Sequence, residues 1–284
     1  MYNCNGVLVS QLNQVDQDTL HSFTSAFSLF ETIRLHKGQI LFWETHYFRI
    51  IASLRRYRFG IPMHYNMDVL KEELLKLHTQ QTPVAENALF QFQFFNSKGE
   101  TKYIISSWET QPFHLQSQTY SIDLYKEAYI TSGNLSNLSS THRGLRIMAA
   151  RYAQENGLED VVFLNEQKHL VETLKGTLYL VQNNQLITPK LESGCQDFAL
   201  RTAFHHWLEN QQSTYHLAEE DLNPFALQQS EALFVLSLEQ GFQNISNYRF
   251  PTCSLWGWRG LLAGQSVVRW DWKHHISCIT CWWT

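Results

Sequence analysis

Short apolar runs and helical stripes follow one another along this chain, and none is long. A strand-like stretch from Phe30 to Ile33 leads through His36-Lys37-Gly38 into Ile40-Leu41-Phe42, the pattern of a hairpin. Tyr47, Ile50, Ile51, Leu54 and Tyr57 then share one helical face, with Thr45 as candidate N-cap and Gly60-Ile61-Pro62 as the stop. A second helix is expected over Met67 to His78, a buried strand over Ala88 to Phe95, and a turn at Lys98-Gly99-Glu100 into a strand over Tyr103 to Ser107. This is a first domain of strands with two helices.

The second half repeats the mixture. Tyr120 to Leu124 reads as a strand, and Leu145, Met148, Ala149, Tyr152 and Ala153 form a helical stripe closed by Asn156-Gly157. Val161 to Leu164, Leu170 to Thr173, Thr177 to Val181 and Ala232 to Leu236 read as strands, with Asn183-Asn184 a turn into Gln185 to Ile187. Leu200, Ala203, Phe204, Trp207 and Leu208 mark a further helix. Between the halves, Gln111 to Gln118 contains Pro112 and has no period. With 284 residues the chain accommodates two domains, expected as 1–112 and 119–284 with 113–118 as linker. The fold class is α/β (α+β), with a small N-terminal α/β domain and a larger, β-rich C-terminal domain carrying helices.

Composition excludes several function classes. A formal charge of -4 with no basic face gives no electrostatic footprint for nucleic acid. No apolar run reaches the roughly 18 residues of a membrane span, and Met1-Tyr2-Asn3-Cys4-Asn5 does not open like a secretory signal, so a cytoplasmic protein is expected. Five cysteines are an odd number for a disulfide framework, and Cys278-x-x-Cys281 has no second pair at zinc spacing. Histidines are plentiful, as in His205-His206, but show no metal-ligand pattern, so no metal is expected. Six of the nine tryptophans lie beyond Pro251, and the segment 251–284 shows no clean period; an aromatic cluster packed on the second domain is the simplest expectation.

Phe30-Glu31-Thr32-Ile33-Arg34, His36-Lys37-Gly38 and His46-Tyr47-Phe48-Arg49 resemble, in order and spacing, the opening signature of class IV aminotransferases and aminodeoxychorismate lyases, which bind pyridoxal phosphate (PLP). Ser136-Asn137-Leu138-Ser139-Ser140-Thr141, Asp160 to Glu166 and Val171-Glu172-Thr173 are similar to that family's lysine segment and the stretch of chain beyond it. The resemblance runs from about residue 25 to about residue 250 and implies a fold type IV PLP-enzyme architecture, a homodimer, and a small-molecule site between the domains. It implies that Arg49 contacts the cofactor phosphate, a role suited to a planar, permanently charged fork. Periodicity alone places Arg49 opposite the apolar stripe, as a solvated residue. The resemblance likewise implies that Glu172 faces the pyridine nitrogen, that Phe198 and Ala199 stand at the helix start of the phosphate cradle, and that Ser237 stands at its last turn. The resemblance also implies that Phe30, Gln91 and Gln93 fall at the substrate pocket.

The departures concentrate at the chemistry. Ser139 stands where the family has its Schiff-base lysine, and a hydroxyl cannot form an imine. Phe198 replaces a glycine whose bare backbone admits a phosphate, Leu236 replaces a hydroxyl, and Gln91 and Gln93 replace substrate-strand arginines. Two functions are compatible with this pattern. One is a diverged member that has lost lysine-dependent PLP transamination and uses its pocket for small-molecule binding or another reaction. The alternative is an active PLP-dependent lyase or aminotransferase using a relocated lysine, Lys175, three residues after Glu172.

Overall fold

The computed structural model describes residues 1–248 apart from 26, 82, 114–118, 134 and 211–214. The tryptophan-rich segment 251–284, with its Cys-x-x-Cys, and most of the expected linker lie outside the described residues. Two compact units emerge, one of Met1–Pro112 with Leu138–His142, the other of Phe113–Asn137 and the described residues from Arg143 onward.

In the first unit the strands are β1 (Tyr2–Cys4), β2 (Val7–Val9), β3 (Ser28–His36), β4 (Gln39–Ile40), β5 (Ala88–Ser97) and β6 (Glu100–Glu109). They form one antiparallel sheet in the order β2-β1-β6-β5-β3-β4. The helices are α1 (Gln17–Ser25), α2 (Trp43–Arg56) and α3 (Met67–Thr79). Successive strand side chains point to opposite faces. Leu29, Ile33 and Leu35 of β3 and Phe90, Phe92 and Phe94 of β5 therefore bury one face, against Trp43, Ile50 and Leu54 of α2 and Leu70, Leu74 and Leu77 of α3. The apolar stripe expected for α2 holds, but the helix begins two residues before Thr45, with Phe42 in the left-handed region at φ 49° as its N-cap. Thr45 is thus inside the helix. The strand after the hairpin shortens to Gln39–Ile40, because Leu41 and Phe42 already lead into α2.

The second unit holds two sheets. One has the order β15-β7-β8-β9, from β7 (Ser121–Ile130), β8 (Asp160–Asn165), β9 (Leu170–Thr173) and β15 (Asn247–Tyr248). The other runs β12-β11-β10-β13-β14, from β10 (Thr177–Gln182), β11 (Gln185–Pro189), β12 (His216–Glu220), β13 (Ala232–Ser237) and β14 (Gly241–Asn244). Helix α4 (Gly144–Glu155) packs on β7 and β8 through Ala149 and Ala153. Helix α5 (Ala199–Asn210) packs on β12 and β13. A short α6 (Ala226–Gln229) lies by β10. Every residue of β8, β9 and β13 is buried, which is why Val161–Leu164 and Ala232–Leu236 read as continuous apolar runs. No helix among the described residues is long and apolar enough to cross a membrane.

Candidate functional site

The alternation that buries Leu29 and Ile33 also turns Glu31 toward α2. Two helical side chains three residues apart meet it there, as helix geometry allows. His46 Nδ1 lies 2.6 Å from Glu31 Oε1, and Arg49 donates through Nε to Oε1 at 3.1 Å and through Nη2 to Oε2 at 3.5 Å. All three residues are buried. Burial alone would raise the Glu31 carboxyl, but the charge of Arg49 and the bonds from His46 and Arg49 outweigh it and hold its pKa below the ordinary value. Arg49 is therefore not the solvated residue that periodicity places it as; the carboxylate on the facing strand draws it in.

On the other face of the same strands Phe30, Thr32, Gln91 and Gln93 are half-buried among fully buried neighbours. Register sets Phe30 opposite Gln93 and Thr32 opposite Gln91, so Phe30, Gln91 and Gln93 share one face of the sheet. Ser139 is buried at the edge of β3: the Phe30 N–H donates to its carbonyl at 3.1 Å, and the Thr141 N–H donates to the Ser28 carbonyl at 3.0 Å. The backbone at 139 is thus fixed beside Phe30.

In the second unit Glu172 leaves β9 only 1% exposed. Arg146 of α4 donates through Nη2 to Glu172 Oε1, and the Gln196 N–H donates to Oε2 at 2.8 Å. The Arg146 guanidinium also donates to the Leu174 carbonyl at 3.4 Å and lies 5.3 Å from the Phe163 ring centroid. The loop that presents Gln196 is held by Asn137, whose Nδ2 donates to the carbonyls of Leu191 at 2.8 Å and Cys195 at 2.6 Å. Burial, with Glu172 adding to it, pushes the Cys195 thiol far above its ordinary range, so it packs as a neutral group. Arg143, the N-cap of α4, has its pKa lowered by burial and by the like charge of Arg146.

Lys175 is half-buried and turned elsewhere. Its ammonium lies 5.8 Å from the centroid of the Tyr120 ring, whose hydroxyl donates to Asp160 Oδ2 at 3.0 Å. Burial raises the Asp160 pKa against the opposing pull of Thr173, the Val161 N–H, Tyr120 and Lys175. Phe198 precedes α5 and accepts its Thr202 N–H at 3.2 Å; Ala199 is the buried first residue of that helix. Ser237 is buried, and its hydroxyl accepts the Gln240 N–H at 3.0 Å, closing the turn after β13.

Sequence reasoning missed Arg146. One signal pointed to it: Arg146 stands three and seven residues before Ala149 and Ala153, on the face of α4 that is buried. Among the described residues no group of three or more His, Cys, Asp or Glu side chains is placed to hold a metal.

The family model for amino-transferase class IV matches residues 28–248. The chain belongs to the class IV aminotransferases. Solved structures of similar fold include a branched-chain aminotransferase from Thermoproteus uzoniensis, solved with norvaline, at 17% identity, 89% coverage of each chain and a TM-score of 0.76. A protein assigned as a 4-amino-4-deoxychorismate lyase from Legionella pneumophila shares 22% identity over 80% of this chain and 85% of its own, with a TM-score of 0.69. A hypothetical aminotransferase from Mycobacterium tuberculosis in a PLP-bound form aligns at 13% identity over 90% and 94% of the two chains, with a TM-score of 0.74. No curated protein gave a significant sequence match. These structures share a mixed α/β architecture with the present chain, and PLP is the cofactor that the family brings into question for it.

Proposed function

We propose that this class IV aminotransferase family member does not carry out lysine-dependent transamination, and that it serves instead as a small-molecule-binding protein or in a reaction that needs no imine. PLP, when bound, supplies an electron sink for a carbanion at the substrate. The residues here do not fit it as the family holds it. The observation that carries the proposal is Glu172: both its oxygens are engaged, one by a guanidinium and one by a backbone N–H. The resemblance assigns it to the pyridine nitrogen. Ser139 supports the same reading, since its hydroxyl cannot take the part of an amine.

The ligand chemistry is set by the half-buried residues Phe30, Gln91 and Gln93 on one face of β3 and β5. Phe30 offers an aromatic surface, and Gln91 and Gln93 offer amides that both donate and accept without charge. Around these three residues the face favours a neutral, partly aromatic molecule over a carboxylate, which would call for a bidentate arginine; Arg34, on the same face of β3, is fully buried and donates through Nη2 to the Gln111 carbonyl. The protein acts as a homodimer in the cytoplasm.

Titration of the purified protein with PLP, followed by absorbance, tests the proposal. The expected result is free-PLP absorption with no imine band. An imine band that saturates with one PLP per chain would overturn it. The alternative of a relocated lysine gains no support from Lys175, whose ammonium lies over Tyr120 and within the field of Asp160.

A further inference from the structure

We infer that the Arg146 guanidinium occupies the place at Glu172 that a protonated ring nitrogen would take, so that the chain carries its own internal cation there and excludes PLP by substitution. The inference deepens the functional proposal and rests on it for the assignment of Glu172 to the cofactor ring.

A carboxylate that is 1% exposed needs a counter-charge inside the protein, because an uncompensated buried charge is strongly destabilising. Arg146 supplies a permanent one. Its position is fixed three ways: by the Glu172 oxygen, by the Leu174 carbonyl and by the Phe163 ring. The second carboxylate oxygen is taken by the Gln196 N–H, on a loop that Asn137 clamps at two carbonyls. An incoming ring would therefore have to expel a guanidinium from an established ion pair rather than fill a waiting position. It would also bring a further positive charge toward Arg143, which already feels Arg146. On this basis the replacement of lysine by Ser139 is one half of the change, and Arg146 is the other.

The experiment compares PLP binding, by equilibrium dialysis and by quenching of intrinsic tryptophan fluorescence, across Ser139→Lys, Arg146→Gln and the two combined. Circular dichroism confirms that each is folded. The combined variant should bind PLP about ten- to hundredfold more tightly than Ser139→Lys alone, the value of one charge-assisted hydrogen bond regained. Adding Glu172→Gln to it should remove that gain. Equal affinity of Ser139→Lys with and without Arg146→Gln overturns the inference and leaves the functional proposal standing. Tight imine formation by the unmodified protein overturns the functional proposal; the inference then falls as well unless Arg146→Gln tightens binding in that background. Should Arg146→Gln not fold, Arg146→Lys takes its place, since a single-point ammonium cannot reproduce the fork. A severalfold gain is expected from it, and no gain overturns the inference.

Discussion

Glu31, which is buried, and His205, which is half-buried, show how differently two ionisable groups can be held. Glu31 has two cationic or donating partners, and its pKa lies below the ordinary 4.5. A depressed carboxylate contributes stability that is complete above its unfolded pKa and is lost as pH falls through the folded one. Glu31→Gln removes the Glu31 charge from Arg49 and is expected to cost about 3 kcal/mol in urea unfolding near neutral pH. A cost under about 1 kcal/mol would show the pair to be energetically idle. His205 of α5 instead accepts the Tyr179 hydroxyl at Nε2 (3.0 Å), which leaves Nδ1 as the protonated nitrogen, facing Glu219 at 3.2 Å. Burial, then the charges of Arg201 and His206, depress its pKa from 6.5 to about 3. Its folded pKa lies below the unfolded value, so its stability contribution is full above pH 6.5 and drains as pH falls toward about 3. His205→Gln should flatten the loss of stability between neutral pH and about pH 4 to 5; an unchanged slope in urea melts at the two pH values would exclude His205 as its source.

At the scale of elements, Gly176 shows how tightly β10 meets β13. A Cβ added there would stand 2.3 Å from the Leu236 carbonyl oxygen, a backbone atom that cannot swing aside. Gly176→Ala is expected to cost about 3 kcal/mol or more, read as a lowered denaturant midpoint. Regular, well-buried elements were legible in the sequence for the same reason that they are tight. Strand β9 agrees to the residue with the expected Leu170 to Thr173, α3 ends one residue beyond its expected span, and α4 and α5 follow their stripes to within one or two residues. Elements without a buried periodic face were not legible. Helix α1 offers mainly polar residues, and β12, His216-Leu217-Ala218-Glu219-Glu220, is a charged edge strand that pairs in parallel with β11 and exists through tertiary contact. The family strings singled out Arg49, Ser139 and Glu172, but only the fold reveals the contacts each one makes. Glu31 pairs with Arg49 across a strand and a helix, and Arg146 reaches Glu172 from 26 residues away in sequence. Neither link leaves a short-range pattern.

For the molecule as a whole, the family resemblance implies a homodimer, and sedimentation at micromolar concentration is expected to give twice the chain mass. A monomer there would remove that expectation. Imine chemistry in this chain is not decided by a fold shared with aminotransferases. It is tested most directly by incubating the unmodified protein with PLP, reducing with borohydride and mapping the peptides by mass spectrometry. No stoichiometric phosphopyridoxyl peptide is expected. A single modified site at Lys175, lost in Lys175→Ala, would contradict this expectation and make this chain an active PLP enzyme with a relocated lysine.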